Sequence, residues 1–115
     1  MVHVAKLPFG NLRTLQKKLF SHSDELRGGA EVVDILGNEC RLEMVLALME
    51  AGELSSWDIA QVTNCTPSAV SQALAMMKRT RMVETRREWL NIYYSLNYEN
   101  ALVKQLLPIL SSLLK

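Results

Sequence analysis

The hydrophobic period changes once between Ser55 and Leu96, and that change limits the folds open to the chain. Ser55 or Ser56 caps a short helix with Ile59, Ala60 and Val62 inward, and Thr63, Asn64 and Cys65 form a tight connector. Thr66 caps a second helix with Pro67 at its first position, where proline's missing N–H is harmless and its φ is already suitable. Val70, Leu74 and Met77 fall at i, i+4 and i+7, which marks the buried face and leaves Ser68, Ser71, Gln72 and Ala75 on the other side. After Arg81 the period is about 2. Val83 and Thr85, then Ile92, Tyr94 and Leu96, alternate with polar or basic neighbours around a hairpin tip at residues 87–91. Two short helices, a three-residue connector and a hairpin make a winged helix-turn-helix, whose second helix fits the major groove of DNA.

The remaining segments read as support. Leu12, Leu15 and Leu19 recur among Arg13, Lys17 and Lys18, predicting an amphipathic helix with a basic outer face that begins near Asn11. Gly28 and Gly29 punctuate, and the apolar run Val32, Val33, Ile35 and Leu36 ends at Gly37. Asn38 caps a further helix with Leu42, Val45, Leu46 and Met49 on its apolar stripe, stopped by Gly52. From Tyr98 onward the leucine-rich stripe is too wide for one face of a small monomer, and Pro108 should kink or end its hydrogen bonding. The expected fold is mainly α with a small β-hairpin, one winged helix-turn-helix domain over residues 1–115. Its helix-turn-helix spans about 55–80, its wing about 82–97, and its dimerisation helices about 9–21 and 98–114. A chain of 115 residues builds one core with little room for a deep catalytic cavity, and no catalytic cluster accompanies the framework, so no enzyme is expected.

Thirteen Lys and Arg against 12 Asp and Glu give a formal charge of +1, which excludes a general polyelectrolyte, so any basic surface must be local. Residues 66–91 hold five of the basic and two of the acidic residues, placing about +3 on the elements that would meet phosphate. No window of eighteen apolar residues and no signal-peptide pattern is present, so a soluble cytoplasmic protein without a membrane partner is expected.

The runs Leu36-Gly37-Asn38-Glu39-Cys40-Arg41-Leu42-Glu43-Met44-Val45, Gly52-Glu53-Leu54, Asp58-Ile59-Ala60, Ser68-Ala69-Val70-Ser71-Gln72-Ala73-Leu74 and Val83-Glu84-Thr85-Arg86-Arg87-Glu88 occur in that order, followed by Tyr93-Tyr94-Ser95-Leu96. Over roughly residues 30–97 the chain resembles the ArsR/SmtB family of small transcriptional repressors. The resemblance implies a homodimer paired through its first and last helices and a palindromic double-stranded DNA operator. It places Thr66, Ser68, Ser71 and Gln72 where the recognition helix touches DNA, and Arg86 and Arg87 where the wing reaches the backbone or minor groove. The chemistry of these residues suits the same roles, since hydroxyls bond phosphate or base edges, Gln72 matches adenine and guanidinium groups suit phosphate. Lys78 and Arg79 end a helix, where cations favour the dipole with or without DNA. Pro67 and Ala73 stand where relatives often carry glutamine and histidine, leaving fewer side chains to read sequence.

Neither metal site implied by the family is present. Leu54-Ser55-Ser56-Trp57-Asp58 holds no cysteine, and the terminal helix offers only Glu99. His3 and His22 with Asp24 or Glu25 lack ligand spacing, and Met44, Met49, Met76, Met77 and Met82 read as core. No metal or cofactor is expected. Cys40 opens a helix beside Arg41 and is the candidate redox residue. Cys65 reads as buried, and because the two lie in different elements the sequence carries no sign that they meet. Trp57 reads as a packing residue; Trp89-Leu90 either folds back, touches the DNA groove or meets a protein. The function expected is a repressor blocking its promoter, with any inducer, which the sequence does not identify, acting on the angle between recognition helices. The alternative is a winged protein-interaction module that reads no sequence.

Overall fold

The computed structural model describes residues 10–115. Helices α1 (Leu12–Ser21), α2 (Ser23–Leu36) and α3 (Glu39–Ala51) come first, and a short strand β1 (Leu54–Ser55) leads into α4 (Ser56–Val62) and α5 (Pro67–Arg79). Strands β2 (Val83–Glu88) and β3 (Asn91–Leu96) form the hairpin; α6 (Ala101–Leu110) then tightens into a 3₁₀ turn over Ser111–Leu114. The fold is a mainly helical winged helix-turn-helix. The start expected at residue 9 for the first helix, like His3, lies outside the described residues.

Helices begin where the sequence supplies caps. Oδ1 of Asn11 accepts from the Thr14 amide at 2.9 Å, Oδ1 of Asn38 from Arg41 at 3.0 Å, and Oγ1 of Thr66 from Ala69 at 3.1 Å. Of the two serines open at the start of α4, Ser55 is the cap. Its Oγ accepts from the Asp58 amide at 3.1 Å while Asp58 accepts from the Ser55 amide at 3.2 Å, a reciprocal capping box. Gly52 ends α3 with φ 85°, a conformation that residues with side chains rarely adopt.

Several expectations change. Gly28 and Gly29 do not interrupt α2, which runs from Ser23 to Leu36. Glycine weakens a helix by roughly 0.5–1 kcal/mol without removing its hydrogen bonds, and burial of Val32 and Ile35 anchors the following turns. Gly29 also faces α6, with Leu102 Cδ1 3.7 Å from where a Cβ would stand. Pro108 does not end α6, which continues to Leu110 before the 3₁₀ turn. The hairpin gains a third strand, giving the antiparallel order β1-β3-β2, with Leu54 opposite Tyr94 and Ser55 opposite Tyr93. Two residues show no period, so β1 left no sequence signal.

One core joins Val32 and Ile35 of α2, Met44, Val45 and Leu48 of α3, Ile59 of α4, the inner row of α5, Val83 and Leu96 of the hairpin, and Val103 and Leu107 of α6. Met44, Met77 and Met82 are buried within it. Val62, expected inward, is 63% exposed because it ends α4 beyond the core-facing turn. Arg41 closes the corner between α2 and α3, donating to the Ile35 carbonyl at 3.0 Å and to the Asp34 carbonyl at 3.2 Å at the end of α2. By contrast, α1 buries none of its residues and leaves Leu12, Leu19 and Phe20 exposed.

The cap assignment is testable by urea unfolding. Ser55→Ala should lower stability by about 1 kcal/mol, while Ser56→Ala should stay within about 0.5 kcal/mol of the parent; equal losses would contradict the assignment.

Candidate nucleic-acid interface

Hydrogen bonds to α4 and α3 hold the connector between α4 and α5. Thr63 closes α4 with its amide and hydroxyl both donating to the Ile59 carbonyl, at 3.1 and 2.8 Å, and the Asn64 amide donates to Glu43 Oε1 at 3.2 Å. Thr66 and Pro67 then start α5. Burying Val70, Ala73, Leu74 and Met77 turns Ser68, Ser71 and Gln72 to solvent on the opposite side. Gln72 Nε2 lies 3.5 Å from Ser68 Oγ, so these two groups occupy one exposed row. Thr66 is exposed, but its hydroxyl oxygen is engaged in the cap. Ala73 is 3% exposed, so position 73 faces the core and its alanine removes no outward-facing side chain.

Lys78 and Arg79 occupy the exposed last turn of α5. Arg81 follows with φ 61°, and the Met82 amide donates to the Met77 carbonyl at 2.8 Å, closing the helix end. The side-chain amides of Asn97 and Asn100 donate to the Arg81 carbonyl at 3.0 and 3.2 Å, fixing the passage from α5 into the wing. Among the described residues, no ion pair engages Lys78, Arg79, Arg81 or Arg87.

Arg86 differs. Its Nε and Nη2 donate to the two oxygens of Glu53 at 3.0 and 2.7 Å, its Nη1 donates to Glu88 at 2.9 Å, and its guanidinium lies 4.9 Å from the centre of the Tyr93 ring. The hydrogen bond from Arg86 holds the Glu53 carboxyl below its ordinary value of 4.5, and the two carboxylates raise the pKa of Arg86. Arg86 therefore ties β2 to the segment between α3 and β1, while Arg87 stays exposed.

At the tip, Trp89 adopts φ 58° and is 89% exposed; Leu90 is 96% exposed. Neither folds back onto the body. Trp57, expected to pack, is 67% exposed because it lies on the outer side of α4, where it borders a cleft of about 160 Å³ with Pro67 and Ser71.

The two cysteines, for which the sequence carries no sign of proximity, do meet. Cys40 and Cys65 form a disulfide across a sequence separation of 25, with Cα atoms 5.6 Å apart. Packing brings the start of α3 against the helix-turn-helix connector, a long-range proximity that no local pattern encodes. Among the described residues, no group of three or more His, Cys, Asp or Glu side chains is placed to hold a metal ion. His22 Nδ1 lies 2.7 Å from the Lys18 carbonyl in a local helix-end contact.

The Glu53 pairing sets a pH window. A carboxylate whose folded pKa is lowered contributes stability that is complete above 4.5 and disappears as pH falls through the folded value. The Arg86 side-chain NMR resonance should hold steady from neutral pH down to about that point and move only below it. In Glu53→Gln it should already be shifted at neutral pH; an unchanged resonance there would contradict the pairing.

Residues 38–85 match the profile described as "Bacterial regulatory protein, arsR family". The chain is 34% identical over 85 residues to the transcriptional repressor SmtB homolog of Synechocystis sp., an alignment covering 74% of this chain and 63% of that protein. It spans between 56% and 63% of the length of the curated relatives it matches. The structure of the transcriptional regulator HlyU from Vibrio vulnificus superposes with TM-score 0.65 at 30% identity, covering 84% of this chain and 97% of that one. The homodimeric winged helix-turn-helix DNA-binding domain Mb0332 from Mycobacterium bovis superposes with TM-score 0.66 at 29% identity, covering 80% and 82%. Sequence and fold together place this chain in the arsR family of bacterial regulatory proteins.

Proposed function

We propose that the chain is a sequence-specific DNA-binding transcriptional regulator, acting as a homodimer that represses by occupying a palindromic operator. The observation that carries the reading is the exposed row Ser68, Ser71 and Gln72, backed by the buried row of α5 and followed by the exposed cations Lys78 and Arg79. The row offers hydroxyls and an amide to base edges and phosphates, and the cations sit where the strand would pass the end of α5. Thr66 accepts the Ala69 amide in the cap and keeps its hydroxyl hydrogen to donate to a phosphate at the helix start. Arg87 supplies the wing's phosphate contact, and Arg86 acts by bracing the wing against Glu53.

Dimerisation follows from the apolar surface that one chain leaves uncovered. Leu12, Leu19 and Phe20 on α1, and Ile109, Leu113 and Leu114 at the end of α6, are all exposed. A second copy can cover both sets by a self-complementary arrangement, as the homodimeric relative named above supports. Such a dimer presents two α5 helices to successive major grooves. The protein-interaction alternative draws on Trp89 and Leu90, an apolar tip on a wing whose Arg86 is already neutralised.

Selection of random duplexes by the purified protein, followed by titration of the enriched sequence, separates the readings. Gln72→Ala should relax preference at one base pair per half-site, by about 1–3 kcal/mol, with little change in salt dependence. Arg87→Ala should weaken binding to all sequences and lower the salt slope by about one unit per protomer. No enrichment by a stable dimer would favour the protein-interaction module, and parental behaviour of both variants would refute the assigned surface.

A further inference from the structure

We propose that the cleft between α4 and α5, walled by Trp57 and Pro67, receives the C5-methyl group of a thymine in each half-site and so fixes one A·T pair of the operator. The proposal rests on the DNA-binding reading above and names a base that this reading leaves open.

Two helical faces make the cleft. Trp57, Ala60 and Gln61 fall at i, i+3 and i+4 on one side of α4, leaving Ile59 to the core, while Pro67 and Ser71 fall at i and i+4 on α5. With Ser56 they line a space of about 160 Å³. Ser71 belongs both to this cleft and to the exposed row with Ser68 and Gln72, so the cleft is continuous with the surface that would face the base edges. Both walls are set before DNA arrives. Trp57 is the second residue of α4, whose start is held by the capping box of Ser55 and Asp58, and the ring of Pro67 fixes φ at the first position of α5. The indole is nevertheless 67% exposed, a large apolar surface beside the recognition helix that the chain itself does not cover.

The lining decides which part of a duplex fits. Ser56, Gln61 and Ser71 are neutral, and the rest is the indole, the Ala60 methyl and the proline ring, so the cleft holds no charge to pair with a phosphate. Pro67 also has no N–H to offer an anion. In the major groove the base edges present hydrogen-bonding groups and one apolar group, the C5-methyl of thymine, which side chains read by apolar contact. The cleft volume corresponds to roughly five water molecules in the liquid, so the methyl edge of one pyrimidine enters by displacing water from apolar walls. Gln72 suits adenine through hydrogen bonds, and the cleft suits thymine through burial; the two contacts favour A·T pairs by independent chemistry.

The test enriches duplexes on the full chain, then replaces each thymine of the enriched half-site in turn by uracil, which removes the methyl and keeps the pairing and hydrogen-bonding edge. At one position, the same in both half-sites, uracil should weaken binding about fourfold per half-site and about fifteenfold when both are replaced, the loss of one buried methyl each. Trp57→Ala, which removes a mostly exposed side chain and should leave the urea-unfolding midpoint in place, should bind the thymine and uracil duplexes within about twofold of each other. Ala60→Leu, which fills the cleft and keeps the indole, should likewise bind the two alike. A half-site without thymine, a loss under about twofold at every position, or an undiminished uracil effect in either variant would overturn the proposal and leave the DNA-binding reading standing. If no duplex is enriched, that reading fails and the thymine contact fails with it.

Discussion

Burial of one row of α5 determines what its other row presents. Val70, Leu74 and Met77 lie in the same core as Met44, Val45 and Leu48 of α3, so the helical repeat carries Ser68, Ser71 and Gln72 to the outside. Turning α5 by one residue, about 100°, would bring polar groups into the core and expose large apolar side chains, each stabilised by roughly 1.5–3 kcal/mol when buried. The same packing brings the start of α3 against the connector, which is why Cys40 and Cys65 meet. Orientation of the polar row and formation of the disulfide thus share one physical origin.

The wing is tied into the same frame. Ser55 pairs with Tyr93 in the sheet and also caps α4, so the strand order β1-β3-β2 links the hairpin directly to the first helix of the helix-turn-helix. Arg86 adds a second tie from β2 to Glu53, immediately before β1. The result is that α4 and the wing are held relative to one another by backbone pairing and a bidentate ion pair. Unpaired positive charge is left on Lys78, Arg79, Arg81 and Arg87 among the described residues. Among those residues, too, no helix is long and apolar enough to cross a membrane.

Features set by neighbours in sequence were legible before the structure. Asn11, Asn38, Ser55 and Thr66 cap from positions a reader can identify, Pro67 starts α5, Gly52 stops α3, and the shift to a period of 2 marks the hairpin. Features set by distant packing were not. The two-residue β1 depends on β3, the outward placement of Trp57 depends on which side of α4 meets the core, and the Arg86–Glu53 pair joins residues 33 apart. Ala73 shows the limit of aligning a motif without its helix phase, because its position faces the core. The glycines of α2 mislead for a different reason: a local weakening is outweighed when the turns beyond it are anchored by Val32 and Ile35.

The most direct measurement is hydroxyl-radical footprinting of the protein on a duplex it has selected. The account predicts two protected windows on one face of the DNA, symmetric about a centre and separated by about 10–10.5 base pairs, as two α5 helices in successive major grooves require. Protection confined to one window, or spread evenly without a helical repeat, would contradict it.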